Sequence, residues 1–65
     1  MKLNNLKLTY LLHHPEANSK LVDRAGAKLN RYANEAHGNL GMYRETHGLD
    51  AVYAKLHEFV TAAKS

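Results

Sequence analysis

The sequence predicts an all-α fold, a small compact bundle of three main helices plus a short helical turn. Apolar residues recur at spacings of three and four over most of the chain, which is the helical period. Glycine, proline and asparagine separate the periodic stretches, as they do at helix ends. No two segments show the alternation of apolar and polar residues that a pair of strands requires. A chain of 65 residues fits one domain, so we expect a single helical domain over residues 1–65.

The clearest helical pattern runs from Leu49 to Lys64. Asp50 lies in its first turn and Lys64 in its last, where the helix dipole favours each charge. The apolar residues occupy an arc of about 120° on a helical wheel, and no charged residue falls inside that arc. We expect the other helices to pack on this arc, which consists of Leu49, Val52, Tyr53, Leu56, Phe59, Val60 and Ala63.

A second helix is predicted between Pro15 and Gly38. Proline fits the first position of a helix, but Asn18 or Ser19 would cap a later start, so both starts stay open. Gly26 lies at the edge of the apolar arc, where the missing side chain allows another helix to approach closely. Gly38 is expected to end the helix. The arc consists of Leu21, Val22, Ala25, Leu29, Tyr32, Ala33 and Ala36.

The segment 39–48 is predicted to be a short helical turn or an ordered loop. Asn39 would cap it, Leu40 and Tyr43 would face inward, and Gly48 would end it. The sequences Glu-Ala-His-Gly and Glu-Thr-His-Gly, which end at residues 38 and 48, repeat one pattern ten residues apart. We interpret both as helix ends, with a histidine at the negative end of the helix dipole.

The first segment, residues 2–14, is ambiguous between a helix and a strand. A strand would need a partner, and only a second copy of the chain would provide one, so a helix is favoured. Such a helix is apolar on two sides and needs covering on both. A small domain without disulfides also gains stability from association, and we therefore expect a homodimer. The two faces are Leu3, Leu6 and Tyr10 on one side and Leu8 and Leu12 on the other.

Composition excludes several classes of protein. The absence of cysteine excludes disulfides and thiolate metal sites. No run approaches the roughly 20 apolar residues that cross a membrane. The apolar run over residues 8–12 is too short for a signal-peptide core, so we expect a cytoplasmic protein.

No motif indicates catalysis or a cofactor. The sequence contains no phosphate-binding glycine loop and no Gly-x-Ser-x-Gly pattern, so we expect no enzymatic activity. The five histidines show no His-x-x-x-His spacing, and we expect no metal. A helical chain of this size is also expected to leave little room for a pocket of about 300 Å³ or more.

The most suggestive functional feature is a row of cations on the second helix. Contact with phosphates or with an acidic protein surface is one interpretation. A solvated face, offset in part by Asp23 near Lys20, is the other. Tyr43 and Arg44 would extend a contact surface by stacking and charge. The candidate binding residues are Lys20, Arg24, Lys28, Arg31, Tyr43 and Arg44.

The function that the sequence favours is that of a small intracellular binding protein. It would regulate or inhibit a protein partner by contact, as do the tiny proteins that mobile elements and phages often encode. A net charge of +3 favours an acidic partner surface. The alternative is a nucleic-acid-binding module that uses the cations, and a third function is self-assembly alone. A helix-turn-helix over residues 39–64 is disfavoured, because the cations lie on another helix.

Overall fold

The computed structural model describes residues 2–64, so Met1 and Ser65 of the predicted domain lie outside the described residues. Within this range the chain forms α-helices and no strand. The helices are α1 (Leu3–His13), α2 (Ser19–His37), α3 (Leu40–His47) and α4 (Leu49–Lys64). The predicted all-α fold is confirmed, and the first segment is a helix rather than an intermolecular strand.

The connection between α1 and α2 is a turn rather than the start of a helix. The amide of Ala17 donates to the carbonyl of His14 at 2.9 Å, which closes a turn around Pro15 and Glu16. The helix start that we predicted at Pro15 is therefore wrong. Proline suits the second position of such a turn as well as it suits a helix start.

Two asparagines set the starts of the next helices. The side chain of Asn18 accepts from the amide of Lys20 at 2.9 Å, so the later of the two predicted starts of α2 is correct. The side chain of Asn39 accepts from the amide of Met42 at 2.8 Å and caps α3 in the same way. These bonds satisfy amides that a helix leaves unpaired in its first turn.

Glycines end α2 and α3 as predicted. Gly38 has φ 93° and Gly48 has φ 87°, and side chains disfavour this region of backbone conformation. Gly48 is the only residue between α3 and α4. The short segment 39–48 is thus a helix joined to α4 by a tight corner.

The core lies between α2 and α4, and α1 and α3 cover its edges. The middle of each predicted arc is buried, but Ala36 and Leu49 are exposed because each lies in the terminal turn of its helix. The buried apolar residues are Leu6, Tyr10, Val22, Ala25, Leu29, Ala33, Leu40, Tyr43, Val52, Leu56 and Val60.

Gly26 allows α1 to pack closely on α2, as predicted. A Cβ atom at this position would lie 2.8 Å from Cδ of Lys7 and 3.6 Å from Cδ1 of Leu3. Nζ of Lys7 lies 2.9 Å from Oδ1 of Asp23, so the lysine spans the glycine and binds the acid three residues earlier in α2.

None of the helices within residues 2–64 has both the length and the hydrophobicity that crossing a bilayer requires.

Lys55, which the wheel places on the outer face of α4, is half-buried. Its ammonium group lies 3.1 Å from Glu58 and 5.1 Å from the centre of the Tyr32 ring. A substitution at Lys55 therefore disturbs packing as well as charge.

We predict that Leu56→Asp abolishes cooperative thermal unfolding, because it places an unpaired charge at a fully buried position of a small core. Ala54 is exposed on the same helix, and Ala54→Asp is the matched control with little expected change in melting temperature. Circular dichroism during heating measures both variants. Equal melting of the two would contradict the assignment of the core face of α4.

We predict that Gly26→Leu lowers the free energy of unfolding by about 1 kcal/mol, because the cost of displacing Lys7 and moving α1 exceeds the gain of about 1 kcal/mol from replacing a glycine inside a helix. Ala27 is exposed one residue later, so Ala27→Leu should change stability by less than about 0.5 kcal/mol. Urea unfolding at one temperature gives both values. A Gly26→Leu variant as stable as the Ala27→Leu variant would show that α1 and α2 are not closely packed at Gly26.

Candidate binding surfaces

The predicted cations form one row on the outer face of α2. All four side chains are exposed, and from residue 20 to residue 31 of the helix the row is about 16 Å long. No ion pair or side-chain hydrogen bond within residues 2–64 engages them. We call this surface the basic stripe, and it consists of Lys20, Arg24, Lys28 and Arg31.

Asp23, which one interpretation of the sequence made a partial offset to Lys20, forms its ion pair with another lysine. Its carboxylate binds Lys7 of α1 at 2.9 Å and so lies on the side of α2 that faces α1. The charges of the whole chain are also unevenly distributed. Residues 2–31 contain six of the nine Lys and Arg residues and two of the six acids, so the positive charge belongs to α1 and α2.

Tyr43 is buried and is not part of the exposed surface that carries the basic stripe. Tyr43 is only 5% exposed, and its ring centre lies 5.7 Å from that of Tyr32 and 4.4 Å from that of His37. It is a core residue, as the pattern of the short helix predicted, and it offers no face for stacking on a ligand. Its predicted place in a binding surface is therefore wrong. Arg44 is exposed on α3.

The two Glu-x-His-Gly patterns are helix ends, as predicted, and the structure brings their histidines together. The ring centres of His37 and His47 lie 4.8 Å apart, and both rings pack against Tyr43. Sequence reasoning missed this pair, although two successive helices with the same final residues were a signal for it. Within the described part of the chain, no three His, Asp or Glu side chains form a possible metal site.

The outer face of α1 is a second exposed surface. Leu8 is 61% exposed and Leu12 is 80% exposed, one helical turn apart. None of its residues carries a charge, although the chain as a whole is basic. The two-sided character that we predicted for this helix is confirmed. We call this surface the leucine face, and it consists of Asn4, Asn5, Leu8, Thr9 and Leu12.

A groove of about 540 Å³ lies beside the leucine face, between α1 and the start of α4. The expectation that a helical chain of this size lacks room for such a volume is wrong, because Leu49 and Tyr53 of α4 and the facing side of α1 border an open recess. The groove is lined by Asn5, Leu6, Thr9, His13, His14, Leu49 and Tyr53.

Tyr10 connects α1 to α4 at the far end of this groove. Its hydroxyl hydrogen-bonds to Nδ1 of His57 at 2.7 Å, and its ring stacks on His14 with centres 4.4 Å apart. His14 and His57 also stack, at 5.5 Å. Burial raises the pKa of Tyr10 above its usual value, and the negative charge of Glu16 raises it further. The cluster gives α1 a polar attachment in addition to its buried apolar residues.

Comparison with family models, with curated proteins and with solved structures found no match to this chain. The chain's own exposed surfaces are therefore the features that bear on its function. Two of these surfaces are exposed and distinct in chemistry, namely the cationic face of α2 and the uncharged apolar face of α1.

We predict that Tyr10→Phe lowers stability at neutral pH by about 1 kcal/mol, because the bond to His57 is lost. The raised pKa of Tyr10 stabilises the fold below pH 10.0, and this contribution is lost as pH rises toward the folded value. The difference in free energy of unfolding between wild type and Tyr10→Phe should therefore become smaller above that pH. Tyr53→Phe is the control, since Tyr53 makes no hydrogen bond within residues 2–64. Urea unfolding at several pH values measures this difference, and a constant difference would contradict the prediction.

Proposed function

We propose that this protein is a small non-enzymatic binding protein that regulates or inhibits a protein partner by direct contact. The basic stripe binds an acidic surface of that partner. The observation that supports this proposal is the exposure of four cations in one row, none of which forms an ion pair within residues 2–64. Such a row attracts an oppositely charged surface and orients it before contact.

The surroundings of the basic stripe favour a protein partner over a nucleic acid. Single-stranded nucleic acids bind where exposed aromatic rings lie beside cations, whereas Tyr43 is buried and Tyr32 is half-buried beneath Lys55. A helix that reads duplex DNA presents side chains that bond to base edges. Lys28 and Arg31 are suitable for phosphates, but Glu35 follows them on the same face of the helix.

Nucleic-acid binding remains the second candidate, because four unpaired cations at successive turns also suit a row of phosphates. Affinity capture from the native host, with and without nuclease, distinguishes the two functions. Recovery of one protein regardless of nuclease supports the proposal. Loss of all captured material after nuclease treatment supports the second candidate.

We predict that Arg24→Glu together with Lys28→Glu preserves the melting temperature and weakens binding to the captured partner at least tenfold, roughly the effect expected for charge pairs at an interface. The single variants Arg24→Glu and Lys64→Glu change the net charge equally, and Lys64 is exposed at the end of α4. Only the first should weaken binding. Equal binding by the two single variants would show that the basic stripe is only a solvated face.

The dependence of the same binding on salt gives an independent check. A duplex held through phosphates should weaken with a log–log slope of about −0.9 per phosphate neutralised. A protein partner with apolar contacts around the ion pairs should show a shallower slope, because salt screens mainly exposed charges.

A further inference from the structure

The leucine face is apolar and uncharged, so an acidic partner that binds the basic stripe does not account for its exposure. We propose that it binds a second copy of the chain, with the two α1 helices antiparallel about a two-fold axis. In this dimer Leu12 of each copy enters the groove beside α1 of the other. This contact uses α1 and leaves the basic stripe of α2 free, so it does not depend on the proposed function.

The absence of charge on the leucine face favours contact with the same face of a second copy. Two copies of a chain with a net charge of +3 repel each other wherever their cations meet. The leucine face is the part of α1 that avoids this repulsion, because its residues are leucine, asparagine and threonine. Lys7, the cation within α1, is turned toward Asp23 of α2 and is paired there.

The position of the groove relative to Leu12 makes the surface self-complementary. Asn5, Thr9 and His13 form one wall of the groove at successive turns of α1. With the two-fold axis between residues 8 and 9, Leu12 of one copy lies opposite the partner's Asn5. The most exposed leucine of each copy, at 80%, therefore meets the mouth of the groove of the other. A two-fold contact requires such reciprocity.

The ends of α1 favour the antiparallel arrangement. In the same register Lys2 lies opposite the partner's Pro15, beside the partner's Glu16. Glu16 lies 3.9 Å from Nδ1 of His14, but its side chain is 75% exposed and Lys2 is exposed, so both can still reach an ion pair between copies. A parallel arrangement would instead bring Lys2 against Lys2 and Glu16 against Glu16. Attraction between opposite charges at both ends of the contact thus favours the antiparallel arrangement.

The size of the contact predicts a weak dimer. The 11 residues of α1 form a helix about 16 Å long, which buries less than the roughly 800 Å² per partner of a standard interface. We expect a dissociation constant in the micromolar range or above. Sedimentation equilibrium from about 5 µM to about 1 mM covers this range and should show a concentration-dependent shift from monomer to dimer.

The variant Leu12→Glu tests the face. A buried carboxylate in the groove should raise the dissociation constant about 30-fold or more, while the exposed position leaves the circular dichroism of the monomer unchanged. Ala54→Glu adds the same charge at an exposed position of α4 and should dimerise as wild type does. A wild-type chain that stays monomeric at about 1 mM, or a Leu12→Glu variant that dimerises as well as Ala54→Glu, would overturn the proposal.

Cysteine variants test the orientation, since the chain has no cysteine of its own. Position 8 lies next to the axis, so Leu8→Cys should form a disulfide with itself under mild oxidation. The two copies of position 12 lie about 10 Å apart along the helices, so Leu12→Cys should not, but a mixture with Asn5→Cys should give the mixed disulfide. Efficient self-linking of Leu12→Cys would indicate parallel helices and overturn the antiparallel arrangement.

Discussion

The packing of α2 against α4 is the contact on which the rest of the molecule depends. Leu29 and Leu56 are fully buried. Ala25 and Ala33 are buried on α2, and their short side chains allow α4 to approach closely. Small side chains on one helix and branched or long side chains on the other allow the helices to interlock at close range. A chain of 65 residues has little other apolar surface to bury. Both α1 and α3 are therefore additions to one helix pair, and each is fixed by few residues.

Local chemistry made most of the fold predictable. The arc of α4 around Leu56, the cap at Asn39 and the glycine endings are consequences of spacing and backbone conformation, which a sequence displays directly. The start of α2 was less predictable, because proline suits both a turn and a helix start and only the amide of Ala17 decides between them. The wheel also placed Lys55 outside, although its stem packs beside Tyr32.

The candidate surfaces were predictable only in part. The basic stripe lies on a single helix, so its exposure is a consequence of one periodic pattern. The burial of Tyr43, the pairing of His37 with His47 and the groove beside α1 all depend on how helices meet. Spacing along the chain carries no information on the angle between two helices, and these features arise from that angle. Tyr10 and His57 are 47 positions apart, and no local pattern connects them.

Gly48 shows how a residue can be constrained without any contact. Its φ of 87° and ψ of 162° place it in a region that only glycine occupies readily, and a Cβ atom there would have no atom within 4 Å. At Gly38, by contrast, a Cβ atom would also lie 2.8 Å from Sδ of Met42. In an evolutionary comparison, position 48 should thus be invariant while its surroundings drift. Invariance at this corner would record the conformation of one backbone residue, and it should not be interpreted as the mark of a binding site.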